Sequence, residues 1–503
     1  MDLKSLVSKW AKYWPAWASA ILLSLAFPPT NFNLLVFVAL APLFGFLRVA
    51  TAKEARRAGY LFGFLFFSHQ MFWLIPFVGG WTKSYALAAI PWILTALAAG
   101  VFYMLSSWMT WLAWQRKWPW IIPLLWVSVE AWRAYLPALA FPWGITALPL
   151  WSFPYLGQTA AIGTIFLTSA WVVLANVLVS IFAFPPKGEN FDKLPFGRVS
   201  VRMGLIFLLL MVGSSMRFAF RPETQKVTMV VGQPGVDMAF TPKEEQAPLL
   251  REAAQSIMAT AASIDSKLTI FPEGFTGVSE SLPPISPVGP NPPVPVMFGG
   301  NRRHGDKTYQ SAYAFDGTWH YADKTRLVIF GEYVPFRNSL SFLQGFNLPS
   351  GDLNPSDTLT TMKVGATKVG ALICFEGVFP DLAERHSRNG AQVLAQMSID
   401  DWYIDTPAWS QLWMSSVWRS IESGLPLLRV GGKGMSLATD NRGSIIAMAP
   451  VGKTVAMRFD AQVPAESDAF GYRFAFVWLL WAVGLGYSTY EFVQARKKKN
   501  ASP

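Results

Sequence analysis

Apolar runs of membrane-crossing length fill the first 220 residues of this chain, and no other feature restricts its fold as strongly. We read spans near 13–29, 34–47, 59–78, 86–114, 118–136, 154–184 and 203–220, and an eighth near 474–490. A bilayer core needs about 20 apolar residues in a helix. Most of these runs approach that length; the second is short, and merging the first two into one re-entrant hairpin is the alternative count. Composition agrees: of 503 residues 52% are hydrophobic and only 15% charged, outside the usual range of soluble domains. The 23 Trp and 38 Phe add to the membrane signal, because aromatic rings gather at bilayer interfaces.

The formal charge of +11 invites a nucleic-acid reading. Its placement argues otherwise. Lys4, Lys9 and Lys12 precede the first span, and Arg48, Lys53, Arg56 and Arg57 separate the second from the third. Arg116 and Lys117 follow the fourth; Lys187, Lys193, Arg198 and Arg202 follow the sixth; Arg496 to Lys499 close the chain. Every second loop is basic, as eight spans with both termini in the cytoplasm require. The segment from Arg221 to about Tyr472 then faces the periplasm or cell exterior of a bacterium. Within the spans, Glu130 and Arg133 lie three apart on one helix face, which predicts a structural ion pair or, alternatively, a substrate contact. No cleavable signal peptide is evident.

From Lys226 the composition becomes that of an α/β domain. Strands are expected at 227–232, 268–271, 296–300, 309–315, 368–373, 392–397, 427–430, 435–439 and 444–448. Helices are expected at 243–263, behind the Thr241-Pro242 start signal, and at 409–422. Alternation of this kind predicts a layered α/β fold. The expected organisation is therefore a seven-span domain over 1–220, an extracytoplasmic domain over 221–470, and an eighth helix with a basic tail over 471–503. Two long loops stand out. One, 277–295, is Pro-rich; the other, 336–359, carries Phe336, Leu340, Phe342, Leu343 and Phe346, an apolar set suited to a lid that dips into lipid.

Chemistry concentrates in three stretches of this domain. Lys368-Val-Gly-Ala-Leu-Ile-Cys374-Phe-Glu376 reads as a buried strand ending in the only cysteine of the chain. A lone thiol is commonly a small buried hydrophobe, and it is also a nucleophile where partners activate it. One cysteine allows no intramolecular disulfide. Leu268-Thr-Ile-Phe-Pro-Glu273 sets a carboxylate at a strand end, and Lys324 is followed eight residues later by Glu332. Together these types suit acyl transfer: a carboxylate takes the thiol proton, the thiolate attacks a carbonyl, and an ammonium with the backbone N–H after the cysteine stabilises the oxyanion.

Phe-Pro-Glu273, Lys324…Phe-Gly-Glu332-Tyr-Val-Pro and Ile-Cys374-Phe-Glu376 resemble the Glu-Lys-Cys pattern of the nitrilase superfamily. With eight spans, the chain resembles the superfamily's membrane-embedded branch, the bacterial apolipoprotein N-acyltransferases. Leu25-Ala-Phe-Pro-Pro, Ala41-Pro-Leu, Phe141-Pro-Trp, Phe346-Asn-Leu-Pro-Ser-Gly-Asp352, Phe379-Pro-Asp-Leu382 and Pro426-Leu-Leu-Arg429 fall in the expected order. The resemblance implies an αββα sandwich on a multi-pass anchor in the inner membrane. It implies Glu273 as general base, Lys324 as oxyanion stabiliser and Cys374 as nucleophile, with Glu332, Glu376 and Phe375 in support. It also implies a phospholipid acyl donor giving up its sn-1 chain, a diacylglyceryl-cysteine acceptor at a lipoprotein N-terminus, and no cofactor, metal or nucleic acid. The chain departs from the family pattern at Gly232-Gln-Pro-Gly with Phe240, at Ile399 and at Gly431-Gly-Lys433, so a paralogue with another acceptor is one alternative. A membrane-tethered amidase and a silent lipid-binding protein are the others.

Overall fold

The computed structural model describes residues 10–184, 197–337, 339, 341, 348 and 351–500. Lys4, Lys9, Lys187, Lys193 and the expected lid residues Leu340, Phe342, Leu343 and Phe346 lie outside the described residues. The chain divides into two compact units. One runs up to Arg217 and takes in the segment from Phe474 onward; the other is Phe218–Arg473.

The first unit is helical. Its helices are α1 (Trp14–Ala26), α2 (Ala41–Val49), α3 (Ala52–Gln70), α4 (Leu74–Thr82), α5 (Tyr85–Gln115), α6 (Ile122–Tyr135), α7 (Ala160–Ala183) and α8 (Gly197–Ala219), and the final helix Ala475–Asn500 joins them. By length and composition α5, α7 and α8 can each cross a bilayer, and α3 with α4 forms a further candidate bent by 55°. Several apolar helices thus can span a membrane. A Thr51 capping box starts α3, its hydroxyl accepting from the Glu54 N–H while Glu54 accepts from the Thr51 N–H. The expected Glu130–Arg133 ion pair does not form. Glu130 instead accepts the N–H and hydroxyl of Thr146, whereas Arg133 donates to the Phe141 carbonyl and lies 4.8 Å from the Phe67 ring centre. Each charged group found a closer local partner than the residue one turn away.

The second unit is a four-layer sandwich. Its elements are β1 (Thr224–Gln233), α9 (Lys243–Ser263), β2 (Thr269–Ile270), β3 (Val278–Ser279), β4 (Val296–His304), β5 (Lys307–Phe315), β6 (Trp319–Asp323), β7 (Thr361–Val364), β8 (Thr367–Ile373), α10 (Pro380–Arg388), β9 (Val393–Met397), α11 (Pro407–Ser423), β10 (Leu427–Val430), β11 (Leu437–Thr439), β12 (Ile445–Met448) and β13 (Val455–Pro464). One sheet has the order β13-β1-β2-β4-β5-β6, with β3 on β4; the other has the order β12-β11-β10-β9-β8-β7. Met229, Val231, Ile270 and Met297 of the first sheet pack against Val369, Ala371, Ile373, Ala395, Met397 and Val430 of the second. On the outer side of the first sheet, Ala254 and Ile257 of α9 meet Val230 and Phe298. This is the expected αββα arrangement. Strands β3, β6, β7 and β13 and helix α10 are additions to the sequence reading, β3 falling in the expected Pro-rich loop, and β4 extends four residues past its expected end, to His304.

Direction places the chemistry. Strand β2 runs parallel to β1 and β4, β8 runs parallel to β9, and β9 to β10. Two antiparallel steps, β4 to β5 and β5 to β6, return β6 to the direction of β2. Glu273, Lys324 and Cys374 each follow the C-terminal end of such a strand, where ligand sites of α/β sheets collect.

His386 of α10 anchors β8 from the side away from the core. Its Nε2 lies 2.9 Å from the Ala371 carbonyl oxygen and its Nδ1 2.9 Å from the Thr361 hydroxyl. Gly370 leaves it room, since a Cβ there would sit 2.6 Å from the ring. Burial lowers the imidazole pKa to about 4, below the ordinary histidine value of about 6.5. A depressed basic group stabilises the fold fully above its unfolded pKa and loses that contribution as pH falls toward the folded value. Stability is therefore expected to drop by about 3 kcal/mol between pH 6.5 and 4. Thermal unfolding in detergent across that window checks this, and His386→Gln should flatten the slope.

Candidate active site

Strand β8 ends in a forced turn. Cys374 has φ +54°, a left-handed conformation uncommon for a non-glycine residue, and the chain passes at once into a tight turn over Cys374–Val378. The turn lifts the thiol out of the in-and-out alternation of the strand and leaves it half-buried. Gly377 is required within the turn, because a Cβ there would lie 2.0 Å from the Gln396 side-chain nitrogen. That nitrogen donates to the Cys374 carbonyl at 3.3 Å, and Ser416 in turn holds the Gln396 oxygen at 2.7 Å.

Glu376 is the clamp of this turn. It accepts from the Ile373 N–H at 2.9 Å, the Thr325 N–H and hydroxyl at 2.8 Å each, and the Arg326 N–H at 3.1 Å. The cysteine turn and the chain leaving β6 are thereby locked together. Burial raises the Glu376 pKa, against the opposing pull of Lys324 and these donors. Arg326 adds a 2.6 Å bond to Asp381 and lies 4.6 Å from the Phe379 ring centre. Phe375 is buried with its ring 5.7 Å from that of Phe379, so it packs the turn.

Lys324 is completely buried between two carboxylates. Its ammonium donates to Glu332 Oε1 at 2.7 Å and lies 3.7 Å from Glu273 Oε1. Glu332 is fixed in turn by the Val328 N–H at 2.9 Å. Burial alone would lower the Lys324 pKa, but Glu332, Glu273 and Cys374 outweigh it and raise the value, so the ammonium stays charged. Glu273 lies within electrostatic reach of Cys374, and its Oε2 accepts the Ile399 N–H at 3.1 Å. Its backbone rests on β4 where only glycine fits: a Cβ on Gly299 would come within 2.6 Å of the Glu273 Cα. Burial lifts the Glu273 pKa to about 7, with Lys324 pulling it down and Glu332 pushing it up. The Cys374 thiol is pushed well above its ordinary value by burial and by Glu273, with Lys324 opposing. Around neutrality the trio therefore holds a neutral thiol beside a carboxylate able to take its proton.

The structure brings together Glu273, Lys324, Glu332, Cys374 and Glu376. Phe336, the one expected lid residue among those described, is half exposed with φ +59°. Sequence reading missed Thr325, Gln396 and the Ile399 N–H, whose roles depend on neighbours that no local pattern announces. Gly432 faces Asp401 and Met238, the Met238 N–H donates to Asp401, the Ile399 N–H donates to Glu273, and the Phe240 ring lies 5.4 Å from that of Trp402.

Comparison with known proteins agrees over most of the chain. The apolipoprotein N-acyltransferase N-terminal domain matches residues 19–178, and the carbon-nitrogen hydrolase domain matches residues 227–458. A protein of Geobacter metallireducens named apolipoprotein N-acyltransferase is 26% identical, over 97% of this chain and 96% of its own length. Proteins of the same name from Allorhizobium ampelinum and Rickettsia typhi are each 27% identical, over 88% and 85% of this chain and 88% and 87% of their own. Among solved structures, a Saccharomyces cerevisiae member of branch 10 of the nitrilase superfamily is 20% identical, with a TM-score of 0.36 over 47% of this chain and 91% of that one. Both domain matches, in order, together with relatives aligned nearly end to end, make this chain a member of the apolipoprotein N-acyltransferase family within the nitrilase superfamily.

Proposed function

We propose that the chain moves a fatty acyl group from a phospholipid, through a thioester on Cys374, to the N-terminal amine of a diacylglyceryl-cysteine in apolipoproteins. The observation that carries this is the grouping of the half-buried Cys374 at the end of β8 with Glu273 and a fully buried Lys324 held between Glu273 and Glu332. Glu273 takes the thiol proton as the sulfur attacks the ester carbonyl carbon, and the Lys324 ammonium with the Phe375 N–H stabilises the oxyanion. Collapse expels the lysophospholipid alkoxide, which receives the proton from Glu273. The acceptor amine then attacks the thioester carbonyl, Glu273 takes its proton, and the Cys374 thiolate leaves and is reprotonated. Glu332 and Glu376 orient Lys324 and the thiol, and Phe375 supports the turn.

The alternating basic loops support eight spans, with both termini in the cytoplasm and the catalytic domain on the periplasmic side of the inner membrane. On this reading the domains are 1–220, 221–470 and 471–503. The test is a product analysis with phospholipid and a diacylglyceryl-cysteine peptide. The expected product is an amide on the peptide's α-amine together with lysophospholipid. Release of free fatty acid with an unmodified amine would instead support a hydrolase.

A further inference from the structure

Asp401 lies four residues beyond β9 and is almost entirely buried, yet it takes no part in the chemistry above. Its two carboxylate oxygens face two different chain segments. Oδ2 accepts the Met238 N–H at 2.7 Å, and Oδ1 accepts the Lys433 N–H at 3.0 Å. The segment after β1 and the segment after β10 are thereby tied to the segment after β9. A second strut, from the Gly235 N–H to the Gly432 carbonyl at 2.9 Å, joins the outer two directly. The knot has no slack. A Cβ on Gly432 would sit 2.6 Å from Asp401 Oδ2 and 2.8 Å from the Met238 sulfur.

Two residues before Asp401 on the same segment is Ile399, whose N–H donates to Glu273 Oε2 at 3.1 Å. Its side chain also closes over Gly274, where an added Cβ would lie 2.6 Å from Ile399 Cδ1. From this geometry we infer that Asp401 is a positioning residue, gathering the segments after β1, β9 and β10 into one wall so that the Ile399 N–H stays aimed at the Glu273 carboxylate. The inference rests on the reading of Glu273 as the base that takes the Cys374 proton.

Asp401 is faced by Asp400, itself paired with Arg429, by Asp237 and by Lys433, which lies 3.5 Å from Asp237. Burial first, then these aspartates, raise the Asp401 pKa to about 7, with the Met238 and Lys433 N–H groups opposing. Glu273 is faced by Lys324, Glu332 and Cys374, and the Ile399 N–H is among the groups that hold its pKa down. Loss of that donor raises the Glu273 pKa, because a bond to the charged form favours it. The carboxylate is then protonated at higher pH and takes the thiol proton over a narrower range.

The experiment follows single-turnover formation of acyl-Cys374 by the full chain in phosphatidylethanolamine micelles, between pH 5.5 and 8.5. In Asp401→Asn one oxygen becomes an NH2 set against an N–H, and the knot opens. The acid limb is expected to move up by roughly half to one pH unit, giving about three- to tenfold slower acylation near pH 6.5 and a rate near wild type at pH 8.5. Asp401→Ser, which is smaller and leaves one acceptor, carries the same expectation should the Asn variant not fold. A uniform loss at every pH, or no change in either variant, overturns the assignment while leaving the functional reading intact. A wild type that forms no acyl-Cys374 overturns both.

Discussion

Replacing Lys324 by methionine is expected to damage stability and chemistry at once. The ammonium is fully buried, with Glu332 at 2.7 Å and Glu273 at 3.7 Å, so its removal leaves two nearly buried carboxylates facing each other. Breaking one side of a buried ion pair costs about 3–5 kcal/mol. For a domain of this size that corresponds to roughly 10 °C in unfolding temperature. Without the ammonium the Glu273 pKa rises above its value of about 7, and the base is protonated at neutral pH. The oxyanion also loses its cation, so acylation should fall at least about a thousandfold. The double variant Lys324→Met/Glu332→Gln separates the effects. It removes the carboxylate repulsion and should recover much of the stability while recovering none of the activity. Differential scanning calorimetry beside single-turnover acylation reads both.

Cys374→Ala is expected to lose more activity and almost no stability. No other cysteine exists in the chain to carry the acyl group, and removal of a covalent nucleophile commonly costs about a thousandfold to a millionfold in rate. The thiol is half-buried, and the turn around it is held by Glu376, Gln396 and Gly377. Unfolding temperature should therefore stay within about 2 °C of wild type. A variant that still N-acylates the acceptor peptide at more than about a hundredth of the wild-type rate would show that no thioester intervenes. Marked destabilisation would instead return Cys374 to the role of a packed core residue.

How far these residues could be read from sequence depends on where their partners lie. The strand ahead of Cys374 was legible because Val369, Ala371 and Ile373 face the core between the sheets, and the apolar run is short and bounded. Helix α9 was legible from its start signal and apolar face, and its bounds matched. The approach of Glu273, Lys324 and Cys374 is a product of strand direction in two sheets, and came from the family pattern rather than from spacing. Strand β13 has the alternation of a strand, but its partner, β1, lies more than 200 residues away, so nothing local marks its pairing. Helix α10 is mostly polar and short, with Arg385, His386 and Arg388 in its last turn, so it looks like surface loop. Glu130 and Arg133 misled because helical spacing shows which residues are neighbours, not that Thr146 and the Phe141 carbonyl compete for them. Asp401 was passed over because its partners are backbone N–H groups, which carry no residue identity in a sequence.

The central claim is that Cys374 carries an acyl group between two lipids. Intact-mass spectrometry of the wild-type protein, after brief exposure to phospholipid without acceptor, tests it most directly. The mass should increase by one acyl chain, the increase should map to Cys374, and it should vanish when diacylglyceryl-cysteine peptide is added and appear on that peptide's amine. An unchanged protein mass under conditions where the peptide nonetheless becomes N-acylated would contradict it.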